Sequence, residues 1–279
     1  MKLKANAKIN LTLDVIGQRD DGYHLIDSIF QSIDLFDELT IEKSDEIRVN
    51  CATDTINGDS NIAYKAAKKF FEFAKICGGA EIFIEKHIPL TSGMGGGSAD
   101  AAAVIVALNS LYNTKFSENE LCEIGLSVGA DVPFCIVGGT ARVGGIGEKL
   151  QKLPDMPNCA ILLVKDGQKL STADMYRKID SCPQNKFYTQ AAVDGIKTHD
   201  FEALCKNTFN AFSAVSLNAE LISLLNSTNP SAVSLSGSGP TVFSLYLNTR
   251  DAIKSKNALE EKGYSAIITF PAKSGIIVE

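Results

Sequence analysis

The densest chemistry in this sequence lies in Pro89-Leu90-Thr91-Ser92-Gly93-Met94-Gly95-Gly96-Gly97-Ser98-Ala99. Four of the five residues from 93 to 97 are glycine, so the backbone can take positive φ and present N–H groups with no side chains in the way. An alternating apolar run, 80 to 86, precedes the loop, and the small-residue run Ala101-Ala102-Ala103-Val104 leads on toward Leu111. Strand, glycine loop and helix in that order aim orphan N–H donors and the positive end of a helix dipole at one point, which is the chemistry of a phosphate site. Ser98, or Asp100 just beyond it, is the expected helix cap. No Gly-Lys-Ser or Gly-Lys-Thr follows the glycines, so this is not a Walker A loop. Nor does it resemble a dinucleotide fingerprint, because it does not close the first strand–helix unit and Glu120 falls in a polar helix start. It reads as a phosphate loop of another class.

Three smaller groups carry polar side chains in unusual settings. Lys8 and Asn10 stand two apart in Ala7-Lys8-Ile9-Asn10-Leu11, so on a strand they project from the same face. Taken alone, the pair is best accounted for by an edge strand with a solvated polar face. Tyr23-His24, after the turn from Gly17 to Gly22, is either a stacking surface with a hydrogen-bonding imidazole or a half-buried aromatic beside a surface histidine. Asp131 lies among small and apolar neighbours before Pro133. A buried carboxylate there must be paired or carry a raised pKa, while an Asx turn or cap is the commoner use of a single Asp.

The elements that must position these groups follow from periodicity. Leu3 to Val15 reads as one or two strands, 25–33 as another, and 35–56 as a β-rich stretch with charged turns. Asn61 stands at the N-cap of an amphipathic helix running to Ala74 and stopped by Gly78-Gly79. Ser117 and Glu120 have capping-box spacing for a helix to about Val128, and 135–149 reads as strand, turn and strand. A boundary is expected near Leu153–Asn158, dividing the chain into 1–153 and 154–279. Beyond it come a strand (160–164), a polar loop, helices (200–213 and 218–227), strands (231–235 and 241–247), a helix (249–262) and a strand (264–270). Without the extra helix this is β-α-β-β-α-β, a sheet with helices on one face.

With 279 residues, 45% hydrophobic and 22% charged, the chain has the composition of a globular α+β protein of about two domains. A net charge of −6 argues against broad nucleic-acid or anionic-membrane binding. Seven scattered cysteines, with no C-x-x-C pair, suit reduced thiols in the cytoplasm, and three histidines with no metal spacing leave no metal ligand to name. The first eight residues show no apolar stretch of signal-peptide type.

Taken together, Lys8–Leu11, Pro89–Ala102 and Ser236-Gly237-Ser238-Gly239-Pro240 resemble, in order and spacing, the three motifs of the GHMP small-molecule kinases. Arg19-Asp20-Asp21-Gly22-Tyr23-His24 and Gly129–Phe134 are similar to one branch of that superfamily. Its substrate is a cytidine diphosphate ester of a methyl-branched tetrol, phosphorylated on the 2-hydroxyl in the non-mevalonate route to isoprenoid precursors. The resemblance implies an N-terminal domain like the second domain of ribosomal protein S5 and a ferredoxin-like C-terminal domain, with ATP and Mg²⁺ as cofactors. It implies that residues 89–99, Asn61 and Lys86 meet the nucleotide, and that Asp131 is the base, kept ionised by Lys8. Asn10, Tyr23, His24, Thr172 and Tyr176 would meet the substrate. The one departure is Ala99, where relatives often carry a serine. The expected partner is the cytidine-diphosphate substrate alone, without nucleic acid or membrane, and the chain is expected to be a monomer or weak homodimer. Two rival readings are a GHMP kinase for mevalonate, homoserine or a sugar, and a non-catalytic nucleotide-binding regulator.

Overall fold

The computed structural model describes residues 1–51, 58–167, 170–182 and 184–279, so the end of the β-rich stretch past Cys51 lies outside the described residues. The first two strands, β1 (Lys2–Gln18) and β2 (His24–Ser44), form a long antiparallel ribbon. Its register shifts at Asn6/Lys8, Asn10/Thr12 and Val15/Gly17. Such irregularities bend a ribbon and let it change neighbours, which is why 25–33 and the stretch after 35 form one strand rather than two. The centre of β1 is buried on both faces. Lys8 and Asn10 are therefore interior residues, and the solvated edge-strand expectation is corrected.

Next come β3 (Arg48–Cys51), α1 (Ile62–Ala74) and β4 (Gly79–Glu85). Asn61 caps α1 as expected, its Oδ1 accepting from the Ala63 N–H at 2.8 Å. Helix α2 (Gly96–Leu111) starts earlier than the sequence suggests. Gly95 holds the N-cap position at φ 72° with no side-chain cap bond, so neither Ser98 nor Asp100 caps it. Asp100 is instead buried and paired with Lys86. The alanines of α2 are fully buried, and a helix of small residues on all sides can lie at the centre of a layer. Helix α3 (Glu118–Val128) carries the Ser117/Glu120 capping box. The expected strand after 135 is replaced at its start by helix α4 (Val132–Val137), with Pro133 in its first turn, a position that tolerates a missing N–H. Strands β5 (Thr140–Gly145) and β6 (Lys149–Lys152) follow.

Past this point, β7 (Ala160–Lys165) is as expected, but the polar loop holds two helices, α5 (Thr172–Ile179) and α6 (Thr189–Lys197). The helix expected over 200–213 stops early as α7 (Phe201–Lys206), and Phe209–Asn210 forms β8, parallel to β1. Then come α8 (Ala219–Asn226), β9 (Ala232–Leu235), β10 (Thr241–Tyr246), α9 (Thr249–Glu260), β11 (Ala266–Thr269) and β12 (Ile276–Val278). The small antiparallel sheet has the order β11-β7-β10-β9, the arrangement that a β-α-β-β-α-β chain produces. The large sheet runs β12-β1-β2-β4-β3, with β5 and β6 continuing from β2. Strands β8 and β12 thus return to β1 from beyond residue 153.

Three buried clusters stack the layers. One joins the large sheet to α1–α4. A second lies between the sheets, where Ala7, Ile9 and Leu11 meet Ile161, Leu163 and Phe243. The third packs the small sheet against α5, α8 and α9. At the rim of the second cluster the two glycine loops interlock. Ser236 Oγ donates to Gly93 O at 3.1 Å, and the Thr241 N–H donates to Ser92 O at 3.2 Å. A Cβ on Gly93, which has φ +81°, would lie 2.4 Å from Ser236 O. Gly93→Ala should therefore cost about 2 kcal/mol or more, from left-handed strain plus a backbone clash. Chemical unfolding checks this, and an unchanged midpoint would show that the loops are not held together here.

Candidate active site

The site is built around Lys8, whose side chain is only 4% exposed. Its Nζ donates to Asn10 Oδ1 at 2.8 Å, stands 3.3 Å from Asp131 Oδ2, and lies 4.2 Å from the centre of the Phe30 ring. A buried ammonium must be compensated, and a carboxylate, an amide oxygen and an aromatic face do so here. Phe30 is the cross-strand partner of Asn10. The glycine loop closes over the stem of Lys8. The Lys8 N–H donates to Met94 O at 2.9 Å, and a Cβ on Gly95 would lie 3.1 Å from Lys8 Cγ. Only glycine at 95 combines that approach with positive φ.

Asp131 reaches Lys8 from the start of α4. It occupies the N-cap position, but at φ −83° and ψ −13° it makes no cap bond. Its carboxylate, 35% exposed, is one wall of a cleft of about 560 Å³. Facing it across the cleft is the first turn of α2. The first intrahelical bond runs from the Ala99 N–H to Gly95 O, so the N–H groups of Gly96, Gly97 and Ser98 precede the ladder and can meet an anion.

Pro89, Leu90, Thr91, Ser92, Gly93, Gly95, Gly96, Gly97 and Ser98 line the cleft. Met94 and Ala99 do not. Their side chains are buried in the core, so each would meet a nucleotide through its backbone alone. Asn61 caps α1 through its Oδ1, and the neighbouring Ile62 lines the cleft. Lys86 does line it, beneath Gly96, while held between Asp37 and Asp100. Burial pushes the Asp100 carboxyl up to about 8 against the pull of Lys86, with the charge of Asp37 adding to the rise.

At the other end, Tyr23, 60% exposed, and Tyr176 both line the cleft. His24 does not line it. Its ring stacks on Tyr176 with centroids 4.4 Å apart, and its Nε2 lies 2.7 Å from Asp180 Oδ1. The imidazole thus backs the tyrosine, which also meets Phe212 edge-on. Burial, then the charge of Asp131, pushes the Tyr176 hydroxyl up to about 12. Thr172, the first residue of α5, lies in the wall with its Oγ1 3.1 Å from Ser238 Oγ.

Sequence reasoning missed Phe30, Asp37 and the pairing of Asp100. Each depends on cross-strand register or on a contact between distant segments, and local periodicity carries no signal for either.

The chain matches the model for the GHMP kinases N terminal domain over residues 61–139 and that for the GHMP kinases C terminal over 192–265. It is 38% identical to 4-diphosphocytidyl-2-C-methyl-D-erythritol kinase of Clostridioides difficile strain 630, covering 99% of this chain and 97% of that one. It is 41% identical to the enzyme of the same name from Caldicellulosiruptor saccharolyticus, covering 93% of each. A crystal structure of 4-(cytidine 5'-diphospho)-2C-methyl-D-erythritol kinase superposes with a TM-score of 0.80 at 29% identity, over 98% of this chain and 99% of that one. The same cleft residues that sequence and geometry single out lie within the matched span, and the chain belongs to the 4-diphosphocytidyl-2-C-methyl-D-erythritol kinases of the GHMP kinase superfamily.

Proposed function

We propose that this chain transfers the γ-phosphoryl group of ATP to the 2-hydroxyl of 4-diphosphocytidyl-2-C-methyl-D-erythritol, in the non-mevalonate route to isoprenoid precursors. The observation that carries this reading is the meeting of Lys8, Asp131 and the first turn of α2 in one cleft. An acceptor hydroxyl between Asp131 and that helix start would have a base on one side and the phosphate cradle on the other.

In this mechanism the hydroxyl proton passes to Asp131, the freed oxygen bonds to the γ-phosphorus, and the bond from that phosphorus to the β–γ bridging oxygen breaks as ADP leaves. Phosphoryl transfer of this kind needs positioning and charge stabilisation more than a strong base. Lys8 neutralises charge gathering on the attacking oxygen, and Asn10 fixes the ammonium. The N–H groups of Gly96, Gly97 and Ser98 take the triphosphate. The cleft offers hard oxygen donors, which suit Mg²⁺. Among the described residues, however, three ligating side chains converge only at Glu38, Glu85 and His87, which are exposed and outside the cleft. Mg²⁺ would thus ride on the phosphates and water, with no side chain assigned to it, and supply neutralising charge to the β- and γ-oxygens.

Tyr23 and Tyr176 would flank the cytosine ring, and Thr172 would meet the polyol. His24 would act on the base through Tyr176, on which its ring stacks. The seven free cysteines favour the reducing cytoplasm, and no described helix is long and apolar enough to cross a membrane. The excess of negative charge favours a small-molecule partner alone, with the chain acting as a monomer or weak homodimer.

ADP release should be seen with the cytidine-diphosphate substrate and be weaker by at least about a hundredfold in kcat/KM with mevalonate, homoserine or galactose, because a site built on specific polar and stacking contacts rejects analogues lacking them. Preferred turnover of any of those three would overturn the assignment. Tyr23→Ala should weaken calorimetric binding of cytidine diphosphate by about 1–3 kcal/mol, the worth of base–aromatic stacking, and leave ATP binding unchanged. Equal binding by wild type and variant would remove Tyr23 from the site.

A further inference from the structure

Below the first turn of α2, two buried carboxylates share one ammonium. Lys86 Nζ donates to Asp100 Oδ2 at 2.7 Å and also to Asp37 Oδ2. Asp37 spends its other oxygen on the backbone, accepting from the His87 and Ile88 N–H groups at 2.7 and 2.8 Å. That oxygen fastens the chain leading into the glycine loop. Asp100 has no such use, since its Oδ1 is buried without a hydrogen-bond partner. With both acids ionised the cluster carries a net negative charge directly below the place where the nucleotide phosphates would sit. Lys86 is the one member that lines the cleft, and a Cβ on Gly96 would lie 3.4 Å from its Nζ.

We propose that Asp100 is a positioning residue that acts through Lys86 and sets, by its own charge state, how much positive charge the cleft offers the nucleotide, so that ATP binding takes up a proton. The inference rests on the kinase reading above. An uncompensated negative charge beneath a bound polyanion is unfavourable in a poorly solvated setting. Protonating Asp100 removes it and leaves Lys86 balanced by Asp37 alone. A carboxyl with its pKa near 8 can make that change at ordinary pH. Lys86 faces it from the end of β4 and Asp37 from β2, and Cys135 of α4, itself beside Lys8 and Asp131, is the other titratable group nearby.

The sign follows from linkage. Anion binding raises the pKa of Asp100 further, so protons are taken up on binding near pH 8, and ATP affinity falls as pH rises through that value. The test is calorimetry of Mg·ATP binding to the wild-type protein at pH 8 in two buffers of different ionisation enthalpy. Uptake of about half a proton per ATP is expected. Asp100→Asn should abolish that uptake. At pH 8.5 the variant should bind ATP tighter than wild type by about two- to fourfold, with the change in KM for ATP rather than in kcat, and the two should match at pH 6.5. Binding without proton uptake, or uptake that persists in folded Asp100→Asn, would overturn the proposal while leaving the kinase reading intact. If no ATP binds to wild type, the kinase reading falls and this inference with it. The wild-type buffer pair decides the matter even if the variant fails to fold.

Discussion

The whole arrangement depends on keeping one ammonium charged inside a protein. Lys8 lies on a strand buried on both faces, where an unpaired charge would cost several kcal/mol. Asp131, Asn10 and the Phe30 ring remove that cost from three directions. The consequence is geometric as well as energetic. A lysine held by three groups from two strands and a helix start has one direction left in which to act, and that direction is the cleft. The same partners that make burial tolerable are the ones that aim the charge.

This constraint explains why glycine is concentrated where it is. The helix start of α2 has to come close to Lys8, and the second loop has to come close to the first. At Gly95 the neighbour is the Lys8 stem, and at Gly93 it is the backbone of the loop after β9. Both glycines also have positive φ. The phosphate cradle and the clamp between layers are therefore one construction. Gly96 belongs to a different contact, because its neighbours are Ile88 and the Lys86 ammonium, and it links the cradle to the buried acids beneath.

Much of this was legible in the residues. The glycine loop, the cap at Asn61, the capping box at Ser117 and the β-α-β-β-α-β order of the second half all carry local signals, and these are the features the structure repeats. The errors came where a local signal met a long-range one. Lys8 and Asn10 looked like a solvated face because an alternating strand does not say what covers it. Asp100 looked like a cap because its distant partner, Lys86, cannot be read from sequence spacing. Besides its expected place beside the substrate, His24 stacks on Tyr176 and meets Asp180, two contacts between distant segments that spacing does not show. The short helices α5 and α6 do bury a helical face, Met175 and Ile179 in one and Thr189, Ala192, Val193 and Ile196 in the other. Each is only about two turns long within a polar stretch, so its period does not stand out in the sequence.

The central claim is that Lys8 and Asp131 work as one unit on the acceptor hydroxyl. It is tested most directly by the turnover of Lys8→Met, Asp131→Asn and the double variant, with ATP binding followed alongside to show that each still forms the cradle. Each single change should lower kcat by about 10²–10⁴-fold. The double variant should be within a few-fold of the worse single one, since groups acting together are not additive. Losses that multiply in the double variant, or near wild-type turnover in Asp131→Asn, would contradict it.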